Sequence, residues 1–220
     1  MKRVLLVFLV ALGMFLAFGG SAFATSGSDG AMLNQRCLKD PSLVSRLTAA
    51  ERATLLEYVT PVSSYCRIVD ARTGKTLSES DGLSNSGNTL GGILPMSSQY
   101  YTWYPAVNPC SLYYDCGEKN VFGTVLWNMR IDNTWSWNPS TQKLNSASYS
   151  GPTVHTFVIG WAWEGVVTQS TSQGSYYYQH LHQGHFAFNL AGYQAAHKYP
   201  IIDFTDWANS PARMTWHWTI

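Results

Sequence analysis

Residues 212–220 read Ala-Arg-Met-Thr-Trp-His-Trp-Thr-Ile, and they alternate between two kinds of side chain. Ala212, Met214, Trp216, Trp218 and Ile220 are apolar; Arg213, Thr215, His217 and Thr219 are polar. Successive strand residues point to opposite faces, so this pattern predicts a strand with one face in a core and one in water. The same period recurs upstream. His155, Phe157, Ile159, Trp161 and Trp163 are expected to share one face of a second strand, and Val121, Gly123, Val125, Trp127, Met129 and Ile131 one face of a third. Turn clusters at Asn138-Pro139, Ser150-Gly151-Pro152 and Gln173-Gly174 separate these runs. Cys66–Asp70 and Lys75–Ser78 flank Ala71-Arg-Thr-Gly74, which predicts a hairpin with Gly74 at a positive-φ position. Residues 79–92, rich in Ser, Gly and Asn, read as a long mobile loop. Several strands between turn clusters predict an antiparallel sandwich or barrel.

Ahead of these strands the period changes to that of a helix, over residues 31–60. Asp40 is placed to cap a short helix that Pro41 opens, and Thr48-Ala-Ala-Glu51 is a capping box for a second. Ala53, Leu56 and Val59, widened by Leu55, form its expected buried stripe, and Pro61 stops the run. The expected fold class is therefore α+β: mainly an antiparallel β-sandwich over residues 62–220, with a short N-terminal helical segment over 25–61.

Residues 1–24 have a different character. Lys2 and Arg3 precede an apolar run from 4 to 18, and Ala22-Phe23-Ala24 has the small-x-small pattern of a signal-peptidase site. The expectation is a signal peptide, a mature chain starting at Thr25 and a secreted, extracellular protein with no membrane span after signal removal. The remaining 196 residues carry twelve basic and thirteen acidic side chains, a balance that lacks the clustered Lys and Arg of a nucleic-acid surface. Cys37, Cys66, Cys110 and Cys116 form an even set, which an oxidising compartment would pair into two disulfides. Of three possible pairings, Cys37–Cys66 with Cys110–Cys116 closes the most local loops and is the one expected. No CxxC pair exists to favour zinc.

Twenty-five aromatic residues lie between positions 100 and 220, too many to leave mostly in water. Trp135/Trp137, Trp161/Trp163 and Trp216/Trp218 each place two indoles on one strand face. A buried indole contributes about 4–6 kcal/mol before entropy, so most of these rings are expected in the core. The functional reading of Trp135, Trp137, Trp161, Trp163, Tyr176 and Tyr178 is a stacking platform for a polysaccharide or cell-surface glycan. The tyrosine-rich stretches suit an exposed role better, because a phenol tolerates a wet hydroxyl.

Catalytic readings are thinner. His180-Leu-His182-Gln-Gly-His185 offers a metal triad if Gly184 makes a bulge that turns His185 onto the face of the other two. Glu164, beside indoles, with Asp203 or Asp206 offers the two carboxylates of a glycosidase. Gly82-Leu-Ser84-Asn-Ser86 lacks the closing glycine of a nucleophile elbow. No cofactor is implied. The succession Trp135-Ser-Trp137, Gly160-Trp-Ala-Trp-Glu-Gly165, Gln183-Gly-His-Phe186 and Tyr199-Pro200 resembles a group of uncharacterised bacterial secreted β-rich proteins over residues 121–207. That resemblance implies a secreted β-fold and carries no catalytic residue across. The leading expectation is a secreted binding or surface-interaction protein, the alternative a secreted hydrolase, and a third a toxin or inhibitor directed at another protein.

Overall fold

Capping chemistry sets the helical segment in a computed structural model that describes residues 27–83, 100–190 and 196–220. The expected leader, and residues 84–92 of the expected loop, lie outside the described residues. Helix α1 spans Gly27–Lys39, starting earlier than residue 31. Asp40 accepts a bond from the Ser42 amide (3.1 Å) and opens a 3-10 turn at Pro41–Arg46. In α2 (Ala49–Val59) the capping box forms in full. Thr48 Oγ1 accepts from the Glu51 amide (3.2 Å), and Glu51 Oε2 accepts from the Thr48 amide (2.9 Å). Such a cap is worth about 1 kcal/mol. The buried stripe of α2 is Leu55, Tyr58 and Val59, while Ala53 faces solvent. The stripe is rotated from the expected one because Tyr58 brings far more apolar surface than Ala53.

The strands build two antiparallel sheets. The first has the order β2-β1-β4-β5-β6, from β1 (Ser63–Asp70), β2 (Thr76–Leu83), β4 (Cys110–Lys119), β5 (Val125–Asn138) and β6 (Lys143–Thr156). The second has the order β3-β11-β10-β8-β7, from β3 (Tyr100–Trp103), β7 (Trp161–Gln173), β8 (Tyr177–Phe188), β10 (Ile201–Trp207) and β11 (Arg213–Thr219). A short β9 (Ala196–Lys198) also pairs with β8. Hairpin β1–β2 turns at Gly74, whose φ of 69° lies in the left-handed region that favours glycine. Strand β2 takes residues 79–83 out of the expected loop.

Three features of the strands correct the sequence reading, the first being that Ser150-Gly151-Pro152 lies inside β6 at a register shift rather than between strands. Residues 121–124 are a turn, not strand. The Asn120 side chain accepts from the Phe122 and Thr124 amides (3.0 and 2.9 Å), so β5 begins at Val125 and Val121 is exposed. Residues 155–163 belong to two strands. Asn34 of α1 accepts from the Ile159 amide (2.8 Å) and donates to the Phe157 carbonyl (3.4 Å), holding the connection between β6 and β7 against the helix. A continuous strand would bond those backbone groups to a neighbouring strand instead.

The core lies between the sheets and is built largely of rings. Met214 and Trp216 of β11 are buried as the alternation requires, with Trp218 close behind. Trp127 stacks on Phe186 across the interface (4.0 Å), and Tyr114 stacks on Phe204 (4.8 Å). The helical segment closes one end, where Trp161 Nε1 donates to the Val59 carbonyl (3.0 Å) and Asn120 Nδ2 to that of Tyr58 (2.7 Å).

The disulfide differs from the expected pairing. Cys66 and Cys116 are direct cross-strand partners in the β1–β4 register, 4.0 Å apart at Cα, and they form the bridge. Cys110 and Cys116 sit six residues apart in one extended strand, about 20 Å, beyond the roughly 7 Å a disulfide allows. Cys37 and Cys110 are free and buried. Burial pushes the Cys110 thiol up to about 12, with the Asp206 carboxylate adding to the rise, and it raises Cys37 as well.

Candidate binding face

Strand alternation decides which of the expected site residues are within reach of a ligand. Trp135, Trp161, Trp216 and Trp218 face the core, and Trp137 and Trp163 are half-buried against it. Tyr178 is buried too, whereas Tyr176 is 48% exposed. The Trp-x-Trp pairs are thus packing, and Trp135, Trp161 and Tyr178 are withdrawn from the expected platform. The physical reason is area: an inter-sheet layer consumes large rings first.

The expected carboxylate pair is not assembled. In β10, Ile202, Phe204 and Asp206 point inward, and Asp203 lies on the outer face. Asp203 accepts from Gln179 Nε2 (3.3 Å). Asp206 is fully buried and accepts two bonds from Asn133 Nδ2 (3.0 and 3.1 Å). Burial pushes its carboxyl up to about 8, partly offset by the Asn133 amide. Glu164 is exposed on the edge strand β7, opposite no second acid.

The histidine triad also separates. His180 and His182 are buried between the sheets, and His185 lies on the opposite face of β8. Gly184 makes no bulge. The register shifts fall on β7, after Trp163 and after Val166, so β8 keeps strict alternation. Gly184 has a different task, because a Cβ there would come within 2.4 Å of the Trp163 ring. Among the described residues no three His, Cys, Asp or Glu side chains are grouped to hold a metal. Tyr149 stacks on His180 at 3.6 Å, and His180 Nδ1 meets Thr171 Oγ1 at 3.2 Å. His180 Nε2 and both ring nitrogens of His182 are buried with no hydrogen-bond partner. Burial, reinforced by His182, lowers His180 to about 4, and burial lowers His182 as well.

The outer face of the second sheet is half-buried and carries aromatic and polar side chains together. The register places Tyr177, Trp207 and Arg213 in one cross-strand row. The next row holds Gln179, Thr205 and Thr215; the third holds Leu181, Asp203 and His217. Rows on one face repeat about every 7 Å. Tyr177 and Trp207 lie 5.8 Å apart, and the Arg213 guanidinium sits 5.1 Å over the Trp207 ring. Trp207 Nε1 donates to Thr215 Oγ1 (3.1 Å), which fixes the indole plane on the sheet. Aromatic faces stand beside amide, hydroxyl and carboxylate groups, a combination suited to a neutral polyhydroxylated ligand. The outer face of the first sheet carries two ion pairs, Arg67 with Asp115 (2.7 Å) and Arg130 with Asp132 (2.5 Å).

Trp207 belongs to no Trp-x-Trp pair, so pairing of indoles does not point to it. Its signal was the alternation of Asp203, Thr205 and Trp207 against Ile202, Phe204 and Asp206. Among the described residues no helix is long and apolar enough to cross a membrane. Compared with known proteins, the chain matches no family model, no curated sequence and no solved structure.

Proposed function

We propose that this protein is an exported, non-catalytic binding module for polysaccharide or cell-surface glycan, and that its recognition surface is the outer face of the second sheet. One observation carries the reading: Tyr177, Trp207 and Arg213 form a single row beside Gln179, Thr205 and Thr215. Pyranose rings present C–H faces that pack on indole and phenol, while their hydroxyls take bonds from amide and carboxylate groups. The separation of Glu164, Asp203 and Asp206 favours binding over hydrolysis. The leader-like residues 1–24 and the cross-strand disulfide support an oxidising destination.

The test is a glycan array and polysaccharide pull-down with wild type and Trp207→Ala. Wild type should retain at least one polysaccharide, and the variant should lose at least about tenfold in affinity, an aromatic anchor being worth upward of 1–2 kcal/mol. Glu164→Gln should bind like wild type. A blank array for wild type, or full binding by Trp207→Ala, ends the carbohydrate reading. Amino-terminal sequencing of the protein from the culture medium should begin at Thr25.

A further inference from the structure

His185 separates from His180 and His182, and it acquires a different neighbour. β8 and β9 are paired so that Ala187 faces His197, which makes His185 and His197 diagonal neighbours on one sheet face. His185 Nε2 and His197 Nδ1 are 2.8 Å apart. The Tyr199 ring lies on His185 at 4.7 Å and 8° from parallel, holding its plane. His197 and Tyr199 are exposed and His185 is half-buried, so the pair opens to solvent.

We propose that His185 and His197 form a two-imidazole site for a borderline divalent cation, Cu²⁺, Ni²⁺ or Zn²⁺. A tetrahedral ion at about 2.0–2.1 Å from each nitrogen sets them roughly 3.3 Å apart, so the rings need to part by about half an ångström. In the free protein one ring donates a hydrogen bond to the other. On binding, that ring carries its proton on its other nitrogen, and both lone pairs meet the ion. Nothing is oxidised or reduced. An all-imidazole donor set discriminates against Mg²⁺ and Ca²⁺, which take oxygen ligands. Solvent or an oxygen of a bound molecule completes the coordination sphere.

Chelator-treated protein titrated calorimetrically with CuCl₂, ZnCl₂ and MgCl₂ tests the site. Cu²⁺ and Zn²⁺ should each bind one to one, Cu²⁺ more tightly, and Mg²⁺ should give no saturable heat. His185→Ala and His197→Ala should each weaken binding at least tenfold, a floor set by the roughly 10–100-fold that even an outer-shell loss costs. His155→Ala, an exposed histidine on the other sheet, should leave binding unchanged. Electron paramagnetic resonance of wild type with one equivalent of Cu²⁺ should show coupling to two imidazole nitrogens, a readout that needs no variant. Undiminished affinity in His197→Ala, no saturable heat from either Cu²⁺ or Zn²⁺, or coupling to a single nitrogen would overturn the proposal. None of these outcomes depends on whether the protein binds a glycan.

Discussion

A carboxyl pushed up to about 8 is neutral in the folded chain at neutral pH, and that is the state of Asp206. In the unfolded chain it ionises near its ordinary value of 3.8. A folded pKa above the unfolded one means stability fully present below pH 3.8 and lost as pH rises through 8. Each unit of that gap is worth about 1.4 kcal/mol. Asn133 Oδ1 is buried without a partner, although Asn133 Nδ2 serves both Asp206 oxygens. An amide at position 206 keeps the shape, never ionises and brings a donor of its own. Asp206→Asn is therefore expected to raise stability at pH 8 by at least about 2 kcal/mol and to leave it nearly unchanged at pH 4. Urea denaturation at the two pH values measures this; equal effects at both would contradict a neutral Asp206.

The elements show which sequence signals survive folding. Alternation in β11, the capping box of α2 and the Gly74 hairpin were legible because each is a local rule, satisfied within a few residues. The break between β6 and β7 was not legible, because it is made by Asn34, more than a hundred residues away. The disulfide was missed for the same reason. Loop closure favours near neighbours, but the bridge is set by the β1–β4 register, which brings Cys66 opposite Cys116 across 50 residues. The proposed recognition face was half legible. Strand parity predicts which residues share a face, but only the packing of the sheets decides which face stays wet. Non-reducing peptide mapping should link the Cys66 and Cys116 peptides and find Cys37 and Cys110 alkylated only after denaturation. Cys66→Ala should then cost up to about 4 kcal/mol, the loop-entropy value for a closed loop of this length. A Cys37–Cys66 link in the map would refute the register.

Across the whole molecule, four buried groups shift the balance of protons between folded and unfolded chains below pH 8: His180, His182, Asp206 and Glu118, whose carboxyl burial also raises against the pull of Lys198. His180 and His182 have folded pKa values below the ordinary 6.5, His180 at about 4. A depressed value means their contribution is present above pH 6.5 and is lost as pH falls below it, for His180 down to about 4, because the unfolded chain takes up protons and the core does not. Asp206 acts in the opposite sense, with the folded chain holding the extra proton from pH 4 to 8. Between 4 and 6.5 the two histidines together outweigh or match the two carboxyls, so stability rises gently or stays level. Above 6.5 the histidines are neutral in both states, Asp206 dominates with Glu118 acting in the same sense, and stability falls. Asp40 and Glu51, held below their ordinary values mainly by hydrogen bonds from Ser42 and Thr48, add to the loss at lower pH. Denaturant midpoints from pH 3 to 9 should therefore peak near 6.5 and decline on both sides. In Asp206→Asn the decline between pH 6.5 and 8 should shrink markedly. A midpoint that climbs steadily from pH 5 to 8 in wild type would mean that the carboxyl is ionised in the folded core, and that the sheets tolerate a charge between them.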